Sequence, residues 1–175
     1  MKPEPATDHS PISDPGLNGA LDRRFSLTLI GDVRLELRAQ LPGRSFADLK
    51  SSYFDYASMQ AMVSGSATNM AQHAVRYFQR VDVIAKVGDD AFGPIIRQHF
   101  REYGIGDHLL VEPRTSNGLT VMLHDTAGVR VLLASDRPPS STLSAQDIRQ
   151  KSRVLTKADR AWSGSIGTPN SCAGI

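Results

Sequence analysis

Cysteine is almost absent from this chain: Cys172 is the single one among 175 residues. An internal disulfide framework and a multi-cysteine zinc site are thereby excluded. An excess of charge of one sign is lacking too. Lys plus Arg is 20 and Asp plus Glu is 18, a formal net charge of +2. That balance argues against a nucleic-acid binder driven by charge, even with a pI of about 8.9. No apolar run approaches the roughly 18 residues that a membrane helix needs. The expectation is a protein of a reducing, cytoplasmic compartment that engages neither nucleic acid nor membrane. Motifs are missing as well. There is no GxxxxGK[ST] phosphate loop, no GxGxxG after a strand and no GxSxG elbow. His9, His73, His99, His108 and His124 are spaced too widely for a local ligand pair, so no metal site is expected.

What is present suits one compact domain: 40% of the residues are apolar, and a chain of this size buries roughly 70% of its unfolded surface. Residues 1–24 carry four of the prolines and few large apolar side chains, which predicts a disordered leader. FSLTLIGD alternates Phe25, Leu27 and Leu29 against Ser26 and Thr28 and stops at Gly31-Asp32, a strand and a turn. VRLELRAQL places Val33, Leu35 and Leu37 on one face and Arg34, Glu36 and Arg38 on the other, a strand with one wet face. A helix from Ala67 follows, with Met70, Ala74, Val75 and Phe78 as its apolar face. Val81 to Val87 reads as a buried strand. The next helix carries Phe92, Ile95, Ile96 and Phe100, with Asp90 as N-cap, Pro94 in the first turn and Gly104 as the left-handed stop. Arg76, Arg80, Arg97 and Arg101 are assigned to a solvated face. GLTVMLHDTAGVRVLLAS reads as a hairpin turning at residues 125–128. Ser144 with Asp147 caps a last helix over 145–153. Beyond Trp162 no periodicity remains, which predicts coil.

Two segments could carry chemistry. Ser64-Gly65-Ser66-Ala67-Thr68-Asn69 enters a helix; small residues let a ligand approach the backbone, and free N–H groups of the first turn favour an anion or a polyol. Asn69 offers a donor and an acceptor for sugar hydroxyls. An ordinary capped helix start explains the same pattern. Gly88, Asp89 and Asp90, with Gly93 after them, fit a strand-to-helix turn better than a binding loop. Asp32 and Glu36 could hold hydroxyls or simply be solvated.

Taken together, GSATNMAQHAVRYFQRVDVIAKVGDDAFGPIIRQHFREYGI resembles the amino-terminal signature region of the PfkB (ribokinase-like) carbohydrate kinases. In that family a Gly-Gly-x-x-x-Asn segment opens a helix, and a strand then leads to Gly-x-Asp-x-x-Gly, here Gly88, Asp90 and Gly93. TSNGLTVMLHDTAGVRVLL is similar to the family's hairpin, and LIGDVRLELR to its opening strand Gly-[Ser/Asp]-x-Asn-x-Asp. The likeness runs over roughly residues 25–150, with the motifs in the family's order. It implies an α/β fold: a ribokinase-like parallel-sheet layer with a small β lid, whose strands lie near 33–40 and 117–133, and with the carboxy-terminal half missing. It also implies transfer of the γ-phosphoryl of ATP to a sugar or nucleoside hydroxyl, with Mg²⁺. Carried over, the substrate-binding residues are Glu36, Ser64, Gly65 and Asn69. Gly88, Asp90 and Gly93 remain structural turn or cap residues.

The match departs from the family at Glu36, where Asp is usual, at Arg34, where Asn is usual, and at Ser64, which replaces the first glycine. The family's Asp-Thr-x-Gly-Ala-Gly-Asp segment, source of the anion hole and the general base, has no counterpart in this sequence. The ATP site is largely built by that half. The expected organisation is a leader at 1–24, a partial kinase domain at 25–164 and an irregular tail at 165–175. The expected behaviour is a substrate-binding half without phosphoryl transfer and with no catalytic residue of its own. Two other readings stand beside it. One is a non-catalytic module that binds a polyol, or that pairs as a homodimer through the lid strands. The other is a truncated gene product whose uncovered strand edges and apolar faces prevent a stable fold.

Overall fold

A computed structural model of the chain describes residues 25–49, 56–135, 142–157 and 160–164. The expected leader and tail lie outside the described residues.

A parallel sheet forms the centre. It has the order β10-β1-β4-β6, from β1 (Ser26–Gly31), β4 (Arg80–Ile84), β6 (Gly106–Asp107) and β10 (Arg160–Gly164), with β1 parallel to both β4 and β10. Leu27, Leu29, Val81 and Val83 project from one face. They form a single buried cluster with Ala67, Ala71 and Ala74 of α1 (Ser66–Ala74) and Ile96 and Phe100 of α2 (Gly93–Tyr103). The alternate residues Thr28, Ile30, Asp82 and Ile84 are also buried. Both faces of these strands are therefore dry, as crossover connections require of a parallel layer.

The lid is a second sheet, ordered β3-β2-β8-β9. It consists of β2 (Arg34–Gln40), β3 (Ser58–Ser64), β8 (Gly118–His124) and β9 (Arg130–Ala134). β2 pairs antiparallel with β3 and parallel with β8, and β8 and β9 form the expected hairpin. Asp125 accepts the amides of Ala127 and Val129 within that turn, and also the Phe46 amide from the loop after β2.

Several elements differ from the sequence expectation. β3 lies between the 33–41 strand and the Ala67 helix, where the sequence predicts no element. The 81–87 strand is broken at Ala85 into β4 and β5 (Lys86–Gly88), and β5 pairs with β7 (Leu110–Glu112) instead. Between β6 and β7 the Asp107 carboxylate accepts the Leu109 amide. α1 stops at Ala74, because Gln79 must reach back to the Phe25 carbonyl to start β4. Met70, within the helix, is exposed rather than on an apolar face, and Val75 and Phe78 pack at the edge of the core from a turn. On α2, Ile95 is exposed while Ile96 and Phe100 are buried. The N-cap position is Phe92 rather than Asp90, and Gly104 ends the helix at φ 67°. The last helix is two short ones, α3 (Ala145–Gln150) and α4 (Ser152–Leu155), and Ser144 and Asp147 form the capping box. Residues 160–164 are strand β10, so Ser163 and Gly164, which fall in the stretch beyond Trp162 expected to be coil, are strand instead. β10 pairs with β1 alone among the described residues, and five residues in a parallel sheet carry too short a pattern for period two to reveal them.

Candidate functional site

Strand register builds the site. β2 and β3 pair with Arg34 opposite Ser64 and Glu36 opposite Met62; on β8, Gly118 lies beside Arg34 and Thr120 beside Glu36. Residues on the same pleat share a face. Arg34, Glu36, Arg38, Ser64 and Thr120 therefore project together. Glu36 is buried, although its face was assigned to solvent. The Ser64 hydroxyl donates to Glu36 Oε2 at 2.9 Å, and Glu36 Oε1 is paired with the Arg38 guanidinium. Leu37, assigned to the dry face, is 39% exposed, because only the near end of the lid, at Leu35 and Val63, reaches the core.

Gly65 joins β3 to α1 at φ 107°. A Cβ there would stand 2.4 Å from the Asp32 carbonyl oxygen, so only glycine lets the two backbones meet. The Asn69 amide donates to the Gly65 carbonyl at 2.9 Å, the first turn of α1. The Asn69 side chain is exposed. Ser64 and Gly65 are thus fixed at the base of the lid, and Asn69 stands one helical turn away.

One of the open N–H groups foreseen at the start of α1, that of Ser66, already has a partner. Asp32 Oδ1 accepts the Ser66 hydroxyl at 2.7 Å and the Ser66 amide at 3.3 Å. Asp32 Oδ2 accepts Arg34 Nε at 2.8 Å. Burial pushes the Asp32 carboxyl up. The Ser66 hydroxyl, Arg34 and the Ser66 amide outweigh it and hold the group below the usual aspartate value. Asp32 is neither solvated nor poised to take up a proton.

The second segment ties loops together. Gly88 lies against the backbone of residues 115–117, where a Cβ would stand 2.3 Å from the Thr115 carbonyl oxygen. Asn117 Oδ1 accepts the Gly88 amide at 3.1 Å, and Asp90 Oδ2 accepts the Asn117 amide at 2.7 Å. Asp89 accepts the Arg114 amide, which pulls its carboxyl down, and also that of Thr115. Asn117, 2% exposed, escaped the sequence reading. Its one signal is an Asn-Gly step directly before a strand. A shallow cleft of about 360 Å³ opens beside this loop, between Asp89 and Gly93 and the arginines Arg97 and Arg101. Arg97 is held by Asp107, and Arg80, which lies on β4 rather than on a helix, by Asp82.

Among the described residues no group of three His, Cys, Asp or Glu side chains could hold a metal ion. No helix among them is long and apolar enough to cross a membrane.

The model of the family described as pfkB family carbohydrate kinase matches residues 50–172. It reaches past the 25–150 likeness at one end and leaves out β1 and β2 at the other. No curated protein matches the sequence. Among solved structures, the chain is similar to the ribokinase from Giardia lamblia, with TM-score 0.68, 19% identity, and coverage of 79% of this chain and 44% of that one. The ribokinase from Thermotoga maritima matches with TM-score 0.60, 14% identity, and coverage of 78% and 44%. At such identities the likeness is one of fold: an α/β layer with parallel strands, as expected. The chain spans less than half the length of each of these two solved ribokinases.

Proposed function

The chain belongs to the pfkB family of carbohydrate kinases, and from that premise we propose that residues 25–164 are the substrate-binding part of an ATP-dependent sugar or nucleoside kinase. The observation that carries this reading is the buried Ser64–Glu36 hydrogen bond at 2.9 Å, set beside the glycine that opens α1. A carboxylate fixed in this way accepts substrate hydroxyls without reorganising, and Asn69 adds a donor and an acceptor from the helix. Glu36, Ser64, Gly65 and Asn69 are the proposed contacts; Gly88, Asp90 and Gly93 hold the loop behind them.

ATP would supply the transferred phosphoryl group. Among the described residues no group of three His, Cys, Asp or Glu side chains could hold a metal ion by itself, and no step is assigned to Mg²⁺ on this chain. Alone, the 175-residue chain transfers no phosphoryl group, since its sequence holds neither the glycine-rich anion hole nor the aspartate base of the family. We place the protein in the cytoplasm. A coupled ADP-release assay with ATP, Mg²⁺ and a panel of sugars and nucleosides tests this: no turnover is expected, and turnover by the chain alone overturns it.

A second reading, a lid that pairs with another copy, draws on Met59, Leu132 and Leu133, which are 62%, 55% and 59% exposed. Sedimentation across a hundredfold concentration range separates the two. Association that ignores every ligand favours pairing.

A further inference from the structure

Arg34 is the feature of the lid that the substrate-site reading leaves unused. Its side chain is 12% exposed. Nε is bonded to Asp32, but Nη1 is buried with no hydrogen-bond partner. An unmet donor on a buried cation is costly and rare in folded proteins.

Among the described residues, neither neighbouring carboxylate is placed to take it. Asp32 gives Oδ2 to Arg34 Nε and Oδ1 to Ser66; Glu36 gives Oε1 to Arg38 and Oε2 to Ser64. The room around the guanidinium depends on Gly118, where a Cβ would come within 3.4 Å of Nη1 and 3.1 Å of the Arg34 Cγ. Charge has a direction too. Glu36 and Arg38 cancel, whereas Asp32 is shared between Arg34 and the positive end of α1, about half a unit charge. The surplus at Arg34 is positive.

We infer that Arg34 makes this face of the lid select a sugar bearing an anionic group, a carboxylate or a phosphate, over the matching neutral polyol. The inference rests on the reading that the polar face of β2 is the substrate site. A planar guanidinium suits either anion, and the anion would complete the donor that the protein leaves unmet.

Calorimetry on the full chain tests it with matched ligands: D-gluconate against D-glucitol, D-ribonate against D-ribitol, then ribitol 5-phosphate and inorganic phosphate. At least one acid is expected to bind tenfold or more tighter than its neutral partner. The ribonate and ribitol 5-phosphate arms show which anion is preferred. Arg34→Asn should bring the ratio within twofold, and Arg34→Lys should keep part of it, with thermal melts verifying that both variants fold. Neutral polyols binding as tightly as the acids would overturn the role of Arg34 and leave the site reading intact. So would a preference that survives Arg34→Asn, or inorganic phosphate matching the acids. If no ligand binds, or binding ignores both Glu36→Gln and Asn69→Ala, the site reading itself fails and this inference with it.

Discussion

Replacing Asp32 by Ala should be among the most damaging single changes outside the apolar core. Asp32 is 6% exposed, and its carboxylate holds Arg34 Nε at 2.8 Å and both donors of Ser66. Removing it leaves the Arg34 guanidinium buried without a counter-charge, which costs about 3–5 kcal/mol. It also removes the acceptor of the Ser66 amide and hydroxyl at the start of α1, about 1 kcal/mol in isolation. The two losses share one side chain, so they overlap, and about 4 kcal/mol in all is the expected deficit. For a chain of this length that is a fall of about 8–16 °C in Tm. Urea denaturation followed by far-ultraviolet circular dichroism measures it. Asp32→Asn retains an oxygen for Ser66 and should cost about half as much. Adding Arg34→Met to Asp32→Ala should restore at least about 1 kcal/mol, because the stranded charge is gone. The pH dependence follows from the depressed carboxyl of Asp32. Between its native value and the ordinary value near 3.8, the unfolded chain binds more protons than the folded one. The stabilisation is therefore complete above the ordinary value and is lost as pH falls through the native one. Asp32→Asn should flatten that acid limb. A loss below about 1 kcal/mol for Asp32→Ala, or an Arg34→Met change that adds its own full cost, would refute this account of the lid's base.

Gly65→Ala must place a methyl group 2.4 Å from a carbonyl oxygen at φ 107°, and should cost about 3 kcal/mol or more. Gly43→Ala has a positive φ of 62° but open space around it, and should cost only about 1 kcal/mol in the same urea titration. Asn117→Ala removes the buried side chain that meets Gly88 and Asp90. A loss of about 2 kcal/mol is expected, with faster hydrogen exchange at the Gly88 amide as its local sign. Phe100→Ala empties a site in the main core and should cost about 3–5 kcal/mol.

Much of the fold was legible because its elements carry local signals. Phe25 to Asp32, the 118–134 hairpin and the Ser144 capping box each announce themselves within a few residues. Where tertiary context decides, local signals fail. α1 ends at Ala74 not for want of apolar residues beyond it but because Gln79 must bond to Phe25. β10 exists because β1 has a free side to pair with it, a fact that no periodicity in residues 160–164 encodes. The burial of Glu36 is of the same kind. Period two reveals which side chains share a face. Whether that face is wet depends on β3 and β8, which lie 22 and more residues away.

The case for Glu36 and Arg34 is for that reason a structural one. The family match begins at residue 50, after β2 has ended, so its range includes Ser64, Gly65 and Asn69 but neither of these two, and it assigns no role to any of them. What attaches β2 to them is register: Arg34 faces Ser64, and Glu36 is bonded to it. Sliding β2 by one residue would turn Leu35 and Leu37 toward Ser64 and send every charged side chain to the opposite face. The core holds that register, because Leu35 and Val63, paired across the strands, are both buried in it. A double-mutant cycle between Glu36→Gln and Ser64→Ala should therefore show a coupling of about 1 kcal/mol. Two residues joined only by similarity to a motif, and not by this pairing, would show none.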